Sequence, residues 1–168
     1  FYSIIRHRKS VGHEARQFHH STFAEIVWTV VPCIILIVMA VPATKALINM
    51  EDMTKSEMTV KVTGYQWKWR YDYIEDGVTV YSNLAHSSRE LIYGDPGSSG
   101  NQNYLLEVDN PIVLPVNKKI RFLLTSDDVI HAWWVPALGQ KKDAIPGFIN
   151  EIWTNIDEPG TYRGQCAE

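Results

Sequence analysis

One histidine and one cysteine in the second half of the sequence are of types that could bind a soft metal ion. His131 stands in an apolar segment just after the acidic pair Asp127-Asp128, and Cys166 follows it by 35 residues. A thiolate and an imidazole on neighbouring loops of a β-domain are the ligands of copper electron-transfer sites. A Cys–His hydrolase is disfavoured because no third, orienting residue is evident. A purely structural role of His131 in an apolar strand stays open.

Trp67 belongs to a run of aromatic residues that alternate with polar ones from Tyr65 to Tyr73. Alternation with a period of two predicts a β-strand with one apolar face. The phase of the alternation changes at Gly64, where the strand could bulge or bend. The pattern alone favours core packing of the aromatic rings. Trp67 could also lie at an interface, because one edge of a tryptophan ring tolerates water.

Glu25 stands at the start of a long apolar segment and has two interpretations. With Thr22 three residues earlier it forms a capping box, in which the carboxylate reaches back and favours the helix dipole. A carboxylate at the mouth of a membrane segment could instead handle protons. Spacing alone favours the cap.

The segment that follows Glu25 predicts a membrane helix. Residues 26–44 carry no charge, and a helix of that length rises about 28 Å, close to the thickness of the hydrocarbon core. Residues 1–50 have a net charge of +3 and residues 51–168 of −6. The positive-inside rule places the basic part in the cytoplasm or matrix, and everything after Lys45 on the opposite side. The overall charge of −3 argues against nucleic acid as a partner.

Short strand-like segments separated by Pro and Gly follow the membrane segment. They predict a mainly β domain, a sandwich or a barrel, because they show no strong helical period. Residues 75–77 are predicted to form a turn and residues 87–102 a long loop. The candidate strands after that loop are residues 104–108, 112–116, 119–125, 130–135, 151–156 and 161–165.

Six segments of the chain resemble, in the same order, subunit II of cytochrome c oxidase, the haem–copper terminal oxidase. They are AEIVWTVVPCIILIVMAVP, GYQWKWRYDY, LLEVDNPIVLPV, DDVIHAWWVPALG, KKDAIPG and PGTYRGQCAE. The resemblance implies a two-helix hairpin followed by a cupredoxin-like Greek-key β-barrel. The end of the first helix and a basic loop would occupy residues 1–20, the second transmembrane helix residues 21–50, and the extracytoplasmic domain residues 51–168.

The resemblance also implies a binuclear copper centre (CuA) in the barrel. His131 matches one ligand, Cys166 the first of two bridging thiolates, and the backbone carbonyl of Glu168 a further ligand. The side chain of Glu168 matches a magnesium ligand at the contact with subunit I. Trp67 matches the tryptophan through which cytochrome c delivers its electron, and Glu25 the carboxylate near the mouth of a proton pathway into subunit I. The acidic positions that match the cytochrome c docking patch are Asp109, Asp127, Asp128 and Asp143.

The implied function is to accept electrons from cytochrome c outside the membrane and to pass them to haem in subunit I, with subunit III and membrane lipid as further neighbours. The family's second Cys, His and Met ligands would follow Glu168, and Phe1 stands where an earlier helix would end, so we expect a sequence clipped at both ends. A copper-free quinol-oxidase subunit II and a membrane-tethered copper carrier are the alternatives. We expect a bacterial inner membrane with the domain in the periplasm, or else a mitochondrial inner membrane with the domain on the intermembrane-space side.

Overall fold

The computed structural model describes residues 1–12, 14, 19–88 and 103–168. The chain divides into two compact units, Phe1–Ala46 and Leu47–Glu168, and each is described by itself. The loop predicted over residues 87–102 lies outside the described residues except for its first two positions.

The N-terminal unit is helical. A short helix, α1, spans Tyr2–Arg6, a 3-10 turn spans Lys9–Val11, and the long helix α2 spans Thr22–Glu51, with its last turn in the second unit. The 30 residues of α2 would rise about 45 Å, and no side chain along it is buried. Over the described part of the chain, α2 is the one helix long and apolar enough to cross a membrane.

The start of α2 corrects the predicted capping box. The Oγ of Ser21, and not that of Thr22, accepts a hydrogen bond from the N–H of Ala24 at 3.4 Å. Glu25 is therefore one position too far along the helix for the reciprocal bond of a capping box. Its carboxylate instead pairs with the ring of His20 at 3.0 Å. Because Glu25 still lies in the first turn, its charge favours the helix dipole.

Eight strands form the second unit. In chain order they are β1 (Met58–Tyr65), β2 (Lys68–Tyr73), β3 (Val78–Asn83), β4 (Lys119–Ser126), β5 (His131–Val135), β6 (Gln140–Ala144), β7 (Asn150–Asn155) and β8 (Gln165–Cys166). The predicted turn at residues 75–77 is confirmed and joins β2 to β3. It contains Gly77 with a φ of 67°, a left-handed conformation that favours glycine.

The strands are arranged in two sheets. The first has the order β3-β2-β1-β4-β7 and the second the order β6-β5-β8. Strands β1 and β4 run parallel, whereas every other described pair of strands runs antiparallel. The parallel pair requires the long connection between β3 and β4, since parallel neighbours cannot be joined by a hairpin.

Apolar side chains from both sheets meet in one core, which confirms a mainly β domain after the apolar helix. The ring of Phe122 on β4 packs against that of Trp133 on β5, with centroids 4.9 Å apart. Trp133 donates a hydrogen bond to the hydroxyl of Tyr71 at 3.2 Å, and burial raises the pKa of Tyr71 to about 12. The buried apolar residues of the core are Val60, Val62, Tyr71, Ile120, Phe122, Leu124, Trp133, Val135, Ala144 and Ile152.

The predicted strands agree with the structure in part. Those at residues 119–125 and 130–135 are confirmed, that at 151–156 is shifted by one residue, and only the end of 161–165 lies in a strand. Residues 104–108 and 112–116 are not strands. The second of these segments contains Pro115, which has no N–H for a ladder. Its Val113 instead bonds through both N–H and carbonyl to the hydroxyl of Tyr73, at 2.9 and 3.0 Å.

The aromatic run is a hairpin and not one bulged strand. Gly64 pairs in continuous register with Trp69 on one side and Ser126 on the other, so the predicted bulge is wrong. The chain reverses at Gln66 and Trp67, which lie between β1 and β2.

Two strands, β3 and β6, were not predicted from the sequence. Strand β6 has a charged sequence because it is an edge strand, where lysines discourage further pairing.

Candidate metal centre

Strands β5 and β8 bring His131 and Cys166 together. Trp133 pairs with Cys166 in the second sheet, and the N–H of Ala167 donates to the carbonyl of Ala132 at 3.0 Å. The Sγ of Cys166 then lies 3.9 Å from Nδ1 of His131. Two atoms with bonds of about 2.0 and 2.3 Å to the same metal ion can be at most about 4.3 Å apart. The pair is therefore within reach of a single ion.

The carboxylate of Asp128 holds the ring of His131 in this orientation. Its Oδ1 lies 2.7 Å from Nε2, which leaves Nδ1 facing Cys166. A carboxylate on the far nitrogen orients a ligating imidazole and raises its basicity. The same carboxylate accepts hydrogen bonds from the N–H groups of Gln66 and Val129, both at 2.6 Å. These contacts, that of His131 above all, hold the pKa of Asp128 well below its usual range.

Gly164 lets the segment that carries Cys166 run close against β5. A Cβ at this position would overlap the carbonyl oxygen of Trp134 and would lie 2.9 Å from a methyl group of Val135. Because one of these atoms belongs to the backbone, a larger residue would push the segment away. The absence of a side chain at Gly164 therefore keeps the thiol beside the imidazole.

The thiol of Cys166 also donates a hydrogen bond to the backbone carbonyl of Glu168 at 3.3 Å, while the side chain of Glu168 is exposed. A thiol, an imidazole nitrogen and a carbonyl oxygen thus lie close together. Among the described residues, no group of three or more His, Cys, Asp or Glu side chains is able to hold a metal ion. Sulfur with imidazole selects copper or zinc over magnesium or calcium. The donor set fits part of a copper site.

Trp67 lies in the turn between β1 and β2. Its side chain is 85% exposed, so core packing is wrong for this residue. The preceding N–H, that of Gln66, donates to Asp128, whose other oxygen contacts His131. One carboxylate therefore connects the Trp67 turn to the buried imidazole. An exposed tryptophan at this position is suited to contact with a partner.

Three of the four acidic residues predicted for docking lie near His131. Asp127 and Asp128 occupy the loop before β5, and Asp143 on β6 pairs with Ala132, the neighbour of His131. All three are exposed, but the carboxylate of Asp128 also makes the hydrogen bonds described above. The docking role of these residues stays a prediction.

The fourth acidic residue, Asp109, lies on the other side of the Trp67 turn. Its carboxylate accepts hydrogen bonds from the backbone N–H and the side-chain amide of Asn83, at 2.8 and 2.9 Å. Asn83 ends β3 and pairs with Lys68, the residue that follows Trp67. The exposed tryptophan thus has acidic residues on two sides.

Glu25 lies in the N-terminal unit, in the first turn of α2. Its side chain is 44% exposed and pairs with the ring of His20, which is itself 67% exposed. The role of Glu25 in proton uptake stays a prediction.

Reasoning from the sequence missed two further residues of this site. Trp69 stands edge-on to the ring of His131, with centroids 5.7 Å apart and planes at 64°. The alternation from Tyr65 to Tyr73 favoured core packing for its ring, but it did not indicate that the ring lies beside His131. Gly164 gave no signal, since nothing in its local sequence distinguishes it from a turn glycine.

Two family models match the chain. The one described as "Cytochrome C oxidase subunit II, periplasmic domain" matches residues 58–168, and the one described as "Cytochrome C oxidase subunit II, transmembrane domain" matches residues 1–46. The probable cytochrome c oxidase subunit 2 of Rickettsia conorii is 46% identical over 152 residues, which are 90% of this chain and 46% of that protein. Cytochrome c oxidase subunit 2 of Branchiostoma floridae is 44% identical over 86% of this chain and 60% of its own length. The chain spans about half the length of the curated relatives it matches.

Several solved structures resemble the chain, and two of them contain subunit II of cytochrome oxidase. The periplasmic domain of subunit II of cytochrome oxidase (CoxB) of Bradyrhizobium japonicum is 41% identical, with a TM-score of 0.59 over 70% of this chain and 76% of that one. The second structure is a mixed disulfide intermediate between a thioredoxin-like TlpA and subunit II of cytochrome c oxidase. It is also 41% identical, with a TM-score of 0.55 over 70% of this chain and 75% of that one.

Proposed function

The chain belongs to the cytochrome c oxidase subunit II family, and on this premise we propose that it accepts electrons from a c-type cytochrome at a binuclear copper centre and passes them to haem in subunit I. The observation that carries the proposal is the 3.9 Å approach of the Cys166 thiol to Nδ1 of His131. A thiolate and an imidazole on one ion are the ligands of copper electron-transfer sites. When bound, copper supplies a group that gains and loses one electron at a time.

His131, Cys166 and the carbonyl of Glu168 would hold the copper. The second Cys, the His and the Met that the family places after Glu168 would complete the binuclear set. The chain's own contribution is rigidity, because Asp128 holds the imidazole and the pairing of β8 with β5 holds the thiol. Ligands that are fixed in this way move little when the charge of the site changes.

Docking of the cytochrome would centre on Trp67. The acidic side chains around it would attract a basic donor at long range and speed its association, an effect that salt screens. The contact must also be weak, because the donor has to leave after each electron, and small electron-transfer interfaces meet this need. The exposed ring of Trp67 lies in a turn whose Gln66 N–H bonds to Asp128, which in turn contacts His131, and this supports Trp67 as the point where the electron arrives.

Further parts of the proposal rest on the resemblance. The second unit would be a cupredoxin-like Greek-key barrel in residues 51–168, residues 21–50 the second helix of a hairpin, and residues 1–20 the end of the first helix with a basic loop. Glu168 would bind magnesium at the contact with subunit I, since Mg²⁺ prefers carboxylate oxygen. Glu25 would serve proton uptake into subunit I. Subunit III and membrane lipid are the remaining proposed neighbours.

The proposed location is a bacterial inner membrane, with the second unit in the periplasm. The relatives from Rickettsia and Bradyrhizobium are bacterial and support this location. The animal relative from Branchiostoma keeps the mitochondrial inner membrane as the alternative.

Cys166 would also be the site of thiol exchange before copper is bound. Its side chain is exposed, so a redox partner can reach the sulfur. A similar subunit II domain has been captured as a mixed disulfide with a thioredoxin-like protein. A cysteine must be reduced to serve as a copper ligand, so a thioredoxin-like reductase is a proposed partner of this chain.

Two neighbouring substitutions should separate docking from metal binding. Asp127→Asn and Asp128→Asn remove the same charge, but only Asp128 contacts His131. We expect each to slow cytochrome c association at low salt by about 2–5-fold and to reduce its salt dependence. Asp128→Asn should in addition weaken copper binding by about 10–100-fold. Stopped-flow association across a salt series and a copper titration check both effects, and equal copper affinity in the two variants would contradict the role of Asp128.

Copper analysis of the complete protein tests the proposed function. The proposal predicts about two copper ions per chain, bound through thiolate and imidazole. A protein without copper would support the quinol-oxidase alternative, because such subunits lack copper ligands. A single copper ion would support a tethered copper carrier.

A further inference from the structure

The ring of His131 lies directly over Gly64, the last residue but one of β1. A Cβ built on Gly64 would lie 2.7 Å from Cδ2 and 2.9 Å from Cγ of His131. Separations below about 3.0 Å are closer than such atoms approach in proteins, and the ring cannot bend away as a flexible chain would. Even the smallest side chain at position 64 would therefore have to displace the imidazole.

The conformation of Gly64 does not itself require glycine. Its φ is not positive, and it is paired in register with strands on both sides. A glycine inside a strand lowers stability because it has no side chain to pack, and it often marks a place where another group approaches closely. The close approach here is that of His131, so the contact explains the glycine.

The two residues that pair with Gly64 across the sheet also help to position the imidazole. Trp69 pairs with Gly64 from β2 and meets the His131 ring edge-on at 5.7 Å. On the other side Ser126 pairs with Gly64 from β4, and its hydroxyl lies 3.2 Å from the carboxylate of Asp128, which holds Nε2. Trp69, Gly64 and Ser126, which pair across three neighbouring strands, therefore determine how close to β1 the His131 ring lies and how it is rotated.

We propose that Gly64 is a positioning residue for the metal site: because it has no Cβ, the imidazole sinks to the depth at which Nδ1 faces the thiol of Cys166. The effect of Gly64 on copper binding rests on the proposed function. The contact between Gly64 and His131 does not, so it can be tested in the protein without metal.

The contact is tested by a double-mutant cycle in the complete, metal-free protein in detergent. Gly64→Ala should lower the thermal midpoint by roughly 3–10 °C, as overpacking a buried site does. In a His131→Ala background, Gly64→Ala should not lower the thermal midpoint, because the ring with which the new Cβ would clash is absent. If Gly64→Ala alone fails to fold, folding of the double variant supports the proposal. An equal fall in both backgrounds, or failure of the double variant while His131→Ala folds, overturns it.

Gly160→Ala is the matched control, because a Cβ there meets only the ring of Tyr162 at an ordinary 3.6 Å. This variant should leave the midpoint unchanged.

The positioning role has its own readouts. In the metal-free protein, the ring protons of His131 lie close to the indole of Trp69, so their NMR shifts should move in Gly64→Ala and stay in Gly160→Ala. Copper affinity should fall at least about 10-fold in Gly64→Ala, as for other losses of ligand orientation. Unchanged ring shifts would overturn the positioning role. A wild-type protein that binds no copper would contradict the proposed function, while the cycle and the NMR shifts would still decide the role of Gly64.

Discussion

Replacing Cys166 with Ser is expected to abolish the binuclear copper centre and the reduction of the oxidase by cytochrome c. The thiol lies 3.9 Å from Nδ1 of His131, and a hydroxyl in its place is a hard ligand that copper disfavours. Loss of a group that merely orients a ligand costs about 10–100-fold in affinity, so loss of the ligand itself should exceed about 100-fold. Copper content and the visible spectrum of the purified oxidase measure the effect.

Cys33→Ser is the control for this experiment. Cys33 lies in α2 and is exposed along an apolar helix, where it has no part in the proposed site. The control should keep the copper content and spectrum of the wild-type protein. Equal copper content in Cys166→Ser and Cys33→Ser would show that the thiol of Cys166 is not a ligand.

Replacing Trp67 with Ala is expected to slow oxidation of cytochrome c without changing the copper spectrum. The side chain is 85% exposed, so its removal should change the free energy of unfolding by no more than about 0.5 kcal/mol. An aromatic anchor at the centre of an interface contributes about 2 kcal/mol or more, which corresponds to about 30-fold. Stopped-flow oxidation of reduced cytochrome c gives the rate.

Val113→Ala is the matched control for Trp67. Its side chain is apolar and 73% exposed, and its backbone bonds to Tyr73, at the end of β2 far from the Trp67 turn. Its rate should equal that of the wild-type protein. If Trp67→Ala and Val113→Ala behave alike, the electron arrives elsewhere.

The helix and the central strands could be predicted because each has a signal in its own residues. An uncharged run from residue 26 to residue 44 needs no partner to be recognised, and the alternation in Lys119–Ser126 marks a strand with one buried face. Residues 112–116 are apolar throughout and also suggested a strand. They do not form a strand, because a strand needs backbone hydrogen bonds to a neighbouring strand, and the local sequence does not show whether such a neighbour exists.

The site could be predicted only in part, because it is assembled from distant segments. No spacing rule brings Cys166 to His131, since their contact arises from the pairing of β8 with β5. The residue types suggested the pair as one possibility, and the resemblance implied that both residues bind copper. Asp128 was predicted as a docking residue, but the structure also gives it the contacts that hold the imidazole and the Trp67 turn. Gly64 suggested a bulge because a glycine in a strand looks the same from sequence whether the strand bends or another side chain packs over it.

X-ray absorption at the copper edge of the complete protein, compared between the wild type and Cys166→Ser, tests the central claim most directly. If Cys166 and His131 bind the same copper, the wild-type spectrum contains sulfur at about 2.3 Å and nitrogen at about 2.0 Å, and the sulfur contribution falls in the variant. Copper surrounded only by nitrogen and oxygen, or a sulfur contribution that the substitution leaves unchanged, would contradict the account.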